Sequence, residues 1–280
     1  MLDYAFSRDL DRLIRISLDE DLPAHDITTR ALGIGERTAE AALLARQACT
    51  ISGLAVAQRV FAIVDPAVRF ESRRRDGETV PAGTELAVIT GRADSLLAAE
   101  RTALNLLQRL AGIATATRQL VAMVADLPCI VLDTRKTTPG WRLLEKSAVC
   151  DGGGTNHRFS LSDGVLIKDN HVRLAGGVQA AVAAVRSRTL PGTRIEVEAE
   201  TIEEVAAALA AGADVVLLDN ADPARAREAV RLMAGRAILE LSGGITAANV
   251  RAMAESGADC LSSGALTHSA PAIDISLEFR

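Results

Sequence analysis

Aromatic residues are scarce in this sequence, which has one Trp, one Tyr and five Phe among 280 residues. Proteins that bind single-stranded nucleic acid stack the bases on aromatic side chains, so this scarcity argues against that class. The formal net charge is −5, and an acidic chain has no general attraction for nucleic acid or for an anionic membrane. We therefore expect neither to be a partner.

Paired cysteines and long apolar runs are also missing. The four cysteines, Cys49, Cys129, Cys150 and Cys260, are far apart, and this spacing indicates neither a disulfide framework nor a zinc site. No apolar run reaches the roughly 20 residues of a membrane-spanning helix. The first residues, MLDYAFSRDLDRLIR, carry charges where a signal peptide is apolar. The sequence thus predicts a cytoplasmic protein without a membrane segment.

Apolar residues are abundant, at 49% of the chain, and a chain of this length can form an α/β barrel with a smaller partner domain. Residues 36–91 contain short apolar runs separated by turn residues, which is typical of a small α+β domain. Residues 93–125 are apolar at helical spacing, and Gly112 could divide them into two helices. The pattern changes after this segment, so we predict two domains, 1–125 and 126–280.

The first predicted domain contains three further local signals. Residues 7–21 are amphipathic at helical spacing, and the polar cluster 25–29 after them favours a turn over a ligand contact. Residues 76–83 have the composition of a turn between two antiparallel strands. Arg101 and Arg109 are eight residues apart and so lie on nearly one helix face, which on this spacing alone indicates a solvated flank.

Beyond residue 128, short apolar runs alternate six times with helical stretches, as βα units require. Two helix starts are well marked, because Thr201 begins a capping-box pattern and Asp222 precedes Pro223. Every apolar run ends at polar residues, which favours a closed or nearly closed parallel barrel over an open sheet. The strand ends are Leu132-Asp133, Ile167-Lys168, Val197-Glu198, Leu218-Asp219, Leu241-Ser242 and Leu261-Ser262.

Catalytic groups of such a barrel lie at the carboxyl ends of its strands. This rule places Arg135, Lys136 and Lys168 at one opening, while His157 and Arg158 reach it on the loop before the second strand. Five cationic or imidazole groups are thereby concentrated in a chain that is acidic overall. Such a cluster indicates an anionic ligand, for which Arg and Lys are the usual partners.

Carboxylates and glycine turns complete the predicted opening. Glu198 and Asp219 end successive strands and suit Mg²⁺ or sugar hydroxyls, although either carboxylate could simply pair with Lys168. Residues 242–246, Ser-Gly-Gly-Ile-Thr, follow a strand and are expected to open a helix whose amides hold a phosphate, unless the turn binds nothing. Residues 262–264 form a similar turn. No histidine has a partner at the spacing of zinc ligands.

Eight segments along the chain resemble motifs of one enzyme family, quinolinate phosphoribosyltransferase, also called nicotinate-nucleotide pyrophosphorylase. They cover nearly the whole chain and follow in the family's order. The segments are 20–29, 100–108, 133–140, 152–158, 167–171, 196–198, 218–220 and 242–245. Ser160 departs from the family, which commonly has glycine there. A related branch from molybdenum-transport operons generally lacks the Lys-Asp-Asn-His motif that is present at 168–171.

The resemblance implies an N-terminal α/β sandwich domain and a C-terminal incomplete (β/α) barrel, and it allows the last strand to return to the first domain. It also implies a homodimer or a larger assembly such as a hexamer. The reaction would join quinolinate to phosphoribosyl pyrophosphate with loss of CO₂, giving nicotinate mononucleotide and pyrophosphate in NAD biosynthesis. Mg²⁺ would be the cofactor.

The resemblance further assigns roles to individual residues. Quinolinate would be held by Arg135, His157, Arg158 and Lys168, with Lys136 close to both substrates and Arg101 reaching in from the neighbouring subunit. Glu198 and Asp219 would face the ribose and Mg²⁺, and together with Lys136 would be the catalytic groups. The 5′-phosphate would be held by the turns Ser242, Gly243, Gly244 and Ser263, Gly264.

Two other functions fit part of the same residues. A barrel aldolase or isomerase would use Lys168 as a Schiff-base nucleophile on a sugar phosphate, but it would leave Arg135, His157 and Arg158 unused. A non-catalytic sensor of a phosphorylated metabolite would use the glycine turns and would tolerate loss of Glu198 better than an enzyme would.

Overall fold

The computed structural model describes residues 2–22, 24 and 26–280, with side chains from residue 8 onward. The chain forms two compact units. The first contains Met1–Ala116, Thr138–Gly153 and Ala270–Arg280, and the second contains Thr117–Thr137 and Gly154–Ser269. No helix in the described part of the chain has both the length and the apolar character needed to cross a membrane.

An antiparallel sheet forms the centre of the first unit. Its strands are β1 (Thr38–Ala45), β3 (Arg69–Ser72), β5 (Glu85–Arg92) and β12 (Ile275–Phe279), and a separate short pair is formed by β2 (Cys49–Thr50) and β4 (Thr79–Val80). The sheet order is β12-β1-β5-β3. Strands β3 and β5 are antiparallel, but the turn predicted between them at 76–83 also contains β4, which pairs with β2. The last strand, β12, pairs with β1.

Five helices belong largely to this unit: α1 (Leu2–Asp21), α2 (Ile27–Leu32), α3 (Leu54–Val64), α4 (Ala93–Met123) and α5 (Arg142–Asp151). The prediction that Gly112 divides α4 is wrong, because the helix runs through it. Gly112 instead lets the backbone around Pro271 approach α4 closely, where any side chain would collide. The predicted turn at 25–29 is also replaced by a helix, since Asp26 caps α2. His25, in the same cluster, lies outside the described residues.

A six-stranded parallel sheet forms the second unit. Its strands are β6 (Ile130–Leu132), β7 (Val165–Ile167), β8 (Ile195–Ala199), β9 (Val215–Asp219), β10 (Ile238–Ser242) and β11 (Cys260–Ser262). The order is β6-β11-β10-β9-β8-β7, so β6 and β7 are the two ends of the sheet. All six strands occur where the apolar runs predict them, which confirms the incomplete (β/α) barrel.

Helices connect these strands: α6 (Asp169–Ala175), α7 (Val178–Arg186), α8 (Ile202–Ala210), α9 (Pro223–Met233), α10 (Val250–Ala254) and α11 (Ala265–His268). The predicted helix starts are confirmed, because the Thr201 side chain accepts a hydrogen bond from the Glu204 amide in a capping box. Asp222 likewise caps α9 in front of Pro223. The sheet is apolar towards the helices, where Val197, Leu218 and Leu241 are buried.

Candidate active site

The carboxyl ends of all six parallel strands surround one cavity of about 290 Å³. A site at this end is what the barrel rule predicts. The structure brings eight of the predicted site residues together there: Arg135, Lys136, His157, Arg158, Lys168, Glu198, Asp219 and Ser242. Thr134, Leu166, Leu217, Glu240 and Ser262 line the same cavity.

Two arginines, Arg135 and Arg158, lie near each other in the lining of this cavity. The Arg158 Nη1 donates a hydrogen bond to the carbonyl oxygen of Gly164 at 3.1 Å, which orients its guanidinium. Burial, together with the nearby charge of Arg135, lowers the pKa of Arg158. Two like charges in a half-buried cavity repel each other. An anionic ligand between them would relieve that repulsion, which is the electrostatic property that the sequence predicts.

Lys168 forms an ion pair with Glu198 across two neighbouring strands. The simple pairing that the sequence left open is therefore present. The backbone N–H of Lys168 donates to His171 Nδ1 at 2.9 Å, so His171 has a local role in starting α6. On β9, the strand next to the one that carries Glu198, Asp219 accepts a hydrogen bond from the Asn220 side chain at 2.9 Å.

Glu198 and Asp219 offer oxygen donors of the kind that Mg²⁺ uses. They end adjacent parallel strands and both line the cavity, so two hard oxygen donors face the same space. Mg²⁺ characteristically uses one or two carboxylates and completes its shell with water and substrate oxygens. A pair of carboxylates beside open space suits that mode of binding.

The first glycine turn adopts a left-handed backbone, with φ of 84° at Gly243 and 64° at Gly244. A side chain at Gly243 would collide with Asn220, so the close approach requires glycine. The prediction that the turn opens a helix directly is wrong, because α10 begins only at Val250. A left-handed backbone cannot continue into an α-helix, and a loop closed by the hydrogen bond from the Thr246 amide to Asn249 Oδ1 intervenes.

The second glycine turn is tied to the first. The buried Ser263 hydroxyl donates to the Ile245 carbonyl oxygen at 2.7 Å, so this hydroxyl holds the two turns together. Gly264 lies against the side chain of Lys136, where a larger residue would crowd it. The Thr267 hydroxyl donates to the backbone carbonyl of Lys136 at 2.8 Å. These contacts fix Lys136 beside the two turns.

Glu196 and Glu240 belong to the same interior, although sequence reasoning gave neither a role. His157 Nε2 lies 3.2 Å from Glu196 Oε2 and 3.5 Å from Glu240 Oε2. Both carboxylates are buried. Burial, with the charge of Glu196, raises the pKa of Glu240 to about 7. The alternation of side chains along a strand could have identified them. Glu196 and Glu240 each lie two residues before a predicted site residue, so their side chains face the same side of the sheet as that residue.

Arg101 lies on α4 in the first unit and is exposed. No ion pair to it is found among the side chains that the structure describes. Arg109, eight residues further along, is held by Glu145 at 3.2 Å and by the carbonyl oxygen of Ala270 at 2.9 Å. The two arginines therefore differ: Arg109 is bonded within the first unit, whereas the Arg101 side chain is exposed to solvent. Ser160, the departure from the family, bonds the hydroxyl of Ser162.

Comparisons with known proteins agree on one family. Models for quinolinate phosphoribosyl transferase match residues 26–111 with the N-terminal domain and residues 113–278 with the C-terminal domain. A probable carboxylating nicotinate-nucleotide pyrophosphorylase of Bacillus subtilis is 40% identical over 269 residues, covering 96% of this chain and 93% of that protein. A mitochondrial decarboxylating quinolinate phosphoribosyltransferase of Nicotiana tabacum is 38% identical, covering 96% and 82%.

A solved structure extends the likeness to three dimensions. The nicotinate-nucleotide pyrophosphorylase of Francisella tularensis superposes with a TM-score of 0.94 at 38% identity, over 98% of this chain and 96% of that one. The family resemblance of the sequence motifs and the predicted fold class are thereby confirmed. On its two matched domains and its full-length relatives, the chain belongs to the quinolinate phosphoribosyltransferase family.

Proposed function

We propose that this chain transfers the phosphoribosyl group of phosphoribosyl pyrophosphate to quinolinate and removes one carboxylate, giving nicotinate mononucleotide, pyrophosphate and CO₂. This is the activity in the names of its relatives from Nicotiana and Bacillus, and it belongs to the synthesis of NAD. The observation that carries the proposal is the two-sided cavity. The cations Arg135, Arg158 and Lys168, called the cationic wall below, and the carboxylates Glu198 and Asp219, called the acidic wall, line the same space, where Lys168 contacts Glu198.

The cationic wall suits a planar dicarboxylate. Arg135 and Arg158 each present a guanidinium fork that can bind a carboxylate through two parallel hydrogen bonds. Lys168 adds a point charge, at present shared with Glu198. His157 lines the same wall with both ring nitrogens bonded to the protein. A monocarboxylate would satisfy only part of this set, so the wall selects for the second carboxylate.

The acidic wall suits the phosphoribosyl donor. Departure of pyrophosphate from the sugar carbon builds positive charge on the ribose ring, and fixed carboxylates at Glu198 and Asp219 stabilise that charge. Glu198 and Asp219 would hold Mg²⁺, which would supply positive charge to neutralise the pyrophosphate. Lys136 lies beside the glycine turns and faces the cavity, where it can contact both substrates. The turns at Gly243, Gly244 and Gly264 hold the 5′-phosphate through their backbone, with Ser242 beside them.

Decarboxylation then needs no protein nucleophile. Once the ring nitrogen carries the ribose it is a pyridinium, which accepts the electron pair left when CO₂ departs, and a proton takes the vacated position. An aldolase using Lys168 would need a neutral amine for Schiff-base formation. Lys168 is instead engaged in an ion pair with Glu198, and an aldolase would leave Arg135 and Arg158 unused, which supports the transferase.

Arg101 completes the site from a neighbouring subunit in this proposal. It is exposed on α4, and the described residues supply it with no ion-pair partner, which is the condition expected of a cation whose ligand lies on another copy of the chain. A homodimer with two shared sites is the smallest assembly that meets this requirement. A larger closed assembly, such as a hexamer, would preserve the same shared site.

Binding measurements test this assignment directly. Isothermal titration calorimetry with quinolinate and with nicotinate should show much tighter binding of the dicarboxylate, because only quinolinate engages the whole cationic wall. Equal affinity for the two acids would contradict the assigned role of that wall. Titration of phosphoribosyl pyrophosphate in the presence and absence of Mg²⁺ tests the acidic wall in the same way.

A further inference from the structure

The imidazole of His157 connects the cavity wall to the buried carboxylates beneath it. The backbone N–H of Arg158 donates to His157 Nδ1 at 2.7 Å, so this nitrogen must carry a lone pair. The ring proton therefore lies on Nε2, which is 3.2 and 3.4 Å from the two carboxylate oxygens of Glu196. Glu240 Oε2 lies 3.5 Å from the same nitrogen, close enough for an electrostatic contact.

A metal ion between His157, Glu196 and Glu240 is the obvious alternative, since these three side chains approach one another closely enough to ligate one. A metal on Nε2 would need the lone pair there and the proton on Nδ1. That tautomer would point an N–H at the N–H of Arg158. The hydrogen bonds of the ring thus favour Glu196 as an acceptor, with Glu240 as a nearby charge, over a metal centre.

An ionised carboxylate is suited to this task because it only accepts hydrogen bonds, and Glu240, whose pKa is raised to about 7, reaches that state as the pH rises through neutrality. Glu196 is 8% exposed and Glu240 is 3% exposed, and Glu240 Oε1 has no hydrogen-bond partner in the described part of the chain. Buried carboxylates of this kind oppose folding. Their presence below a substrate-binding wall therefore points to a role in the site and not in stability.

We propose that Glu196 and Glu240 are positioning residues for quinolinate binding, which they support through His157. They keep the imidazole proton on Nε2, and Nδ1 then holds the amide of Arg158 and so places the guanidinium of Arg158 at the cavity. In this arrangement His157 supports Arg158 in addition to lining the cavity itself. The inference rests on the proposed function, in which Arg158 binds a carboxylate of quinolinate.

The backbone amides of residues 157–159 each donate a hydrogen bond to a different side chain. The fully buried Asp133 accepts the backbone N–H of His157 at 2.8 Å, and Asp163 accepts that of Phe159 at 2.7 Å. The amide between them, that of Arg158, is the one bonded to the imidazole. Loss of the correct tautomer would release the middle residue of this segment and leave its two neighbours fixed.

The variants Glu196→Gln and Glu240→Gln test the proposal with little change in shape. Glutamine offers an N–H₂ donor to Nε2 and so permits the tautomer that repels the Arg158 amide. We expect the KM for quinolinate to rise about tenfold, a typical coupling between contacting residues, while the KM for phosphoribosyl pyrophosphate changes little. Equal increases in both KM values would overturn the proposal.

A double-mutant cycle separates this proposal from the function on which it rests. If Glu240 acts through Arg158, adding Glu240→Gln to Arg158→Ala should raise the KM for quinolinate no further. Effects that multiply would show that Glu240 acts elsewhere and would overturn the positioning role. If Arg158→Ala alone left the KM for quinolinate unchanged, the assignment of the cationic wall would fail instead.

Asp214→Asn is the matched control. Asp214 precedes β9, at the opposite end of the same sheet, and accepts the backbone N–H of Ile195 at 2.8 Å. This change should lower the thermal stability without selectively raising the KM for quinolinate. A second test uses only the wild-type protein, so it does not depend on any variant folding. Nuclear magnetic resonance shifts of the ring nitrogens, with ¹⁵N label in the four histidines, report which nitrogen carries the proton. A protonated Nε2 with an unprotonated Nδ1 is expected for His157, and the opposite tautomer would overturn the proposal.

Discussion

Replacing Glu240 by Gln should remove a pH dependence of folding stability. The Glu240 side chain is 4% exposed, and burial together with the charge of Glu196 raises its pKa from 4.5 to about 7. Between these two values the folded state retains a proton that the unfolded chain has already lost. Stability is therefore full below about pH 4.5 and is lost as the pH rises through about 7.

The size of this effect follows from the pKa difference. A shift of one unit corresponds to about 1.4 kcal/mol, so a rise of roughly 2.5 units corresponds to about 3 kcal/mol of unfolding free energy. The hydrogen bond to Glu196 and the charge of Glu240 outweigh burial and raise the pKa of His157. A second proton on His157 would place an N–H on Nδ1 against the Arg158 amide, so the predicted pH dependence is assigned to Glu240.

Urea denaturation at pH 5 and pH 8, followed by circular dichroism, measures this difference. Between the two pH values, the free energy of unfolding of the wild-type protein should fall by up to about 3 kcal/mol more than that of Glu240→Gln. The comparison isolates Glu240, since the other titratable groups are present in both proteins. Glu255→Gln, a change of the same type in a surface ion pair with Arg251, should behave like the wild type. If Glu240→Gln shows the same pH dependence as the wild type, the reasoning about the buried carboxylate is refuted.

Three further predictions concern the cavity and its partners. Arg135→Ala should weaken quinolinate binding by about 2–5 kcal/mol in calorimetry and affect phosphoribosyl pyrophosphate much less, and equal losses would contradict its assignment. Arg101→Ala and Lys168→Ala should each be inactive, yet co-expressed chains should recover about a quarter of wild-type activity through mixed dimers with one intact site; no recovery would count against a shared site. Gly243→Ala should destabilise the protein by about 1–2 kcal/mol and raise the KM for phosphoribosyl pyrophosphate, because the new side chain strikes Asn220, whereas an unchanged KM would remove this turn from the phosphate site.

The parts of the fold that depend on local pattern could be predicted from the sequence. Six apolar runs ending at polar residues were enough to place the barrel strands, because a buried parallel strand is read from a few consecutive residues. The caps at Thr201 and Asp222 are equally local. The break predicted at Gly112 failed because the reason for that glycine is its contact with Pro271, which is distant in sequence.

The candidate site was predictable to the extent that strand ends converge at a barrel mouth. The cationic residues and the two strand-end carboxylates are therefore brought together as expected. The helix expected after Ser242 failed because two successive left-handed glycines prevent it. The contacts of His157 with Glu196 and Glu240 could not be read from spacing, since they depend on the orientation of a ring carried by a loop.

The measurement that tests the central claim most directly is product release from quinolinate, phosphoribosyl pyrophosphate and Mg²⁺. Pyrophosphate and CO₂ should appear in equal amounts, and nicotinate in place of quinolinate should give neither. This result would show that the two walls of the cavity act together on a dicarboxylate and a phosphoribosyl donor. Binding of both substrates without release of either product would contradict the proposed activity.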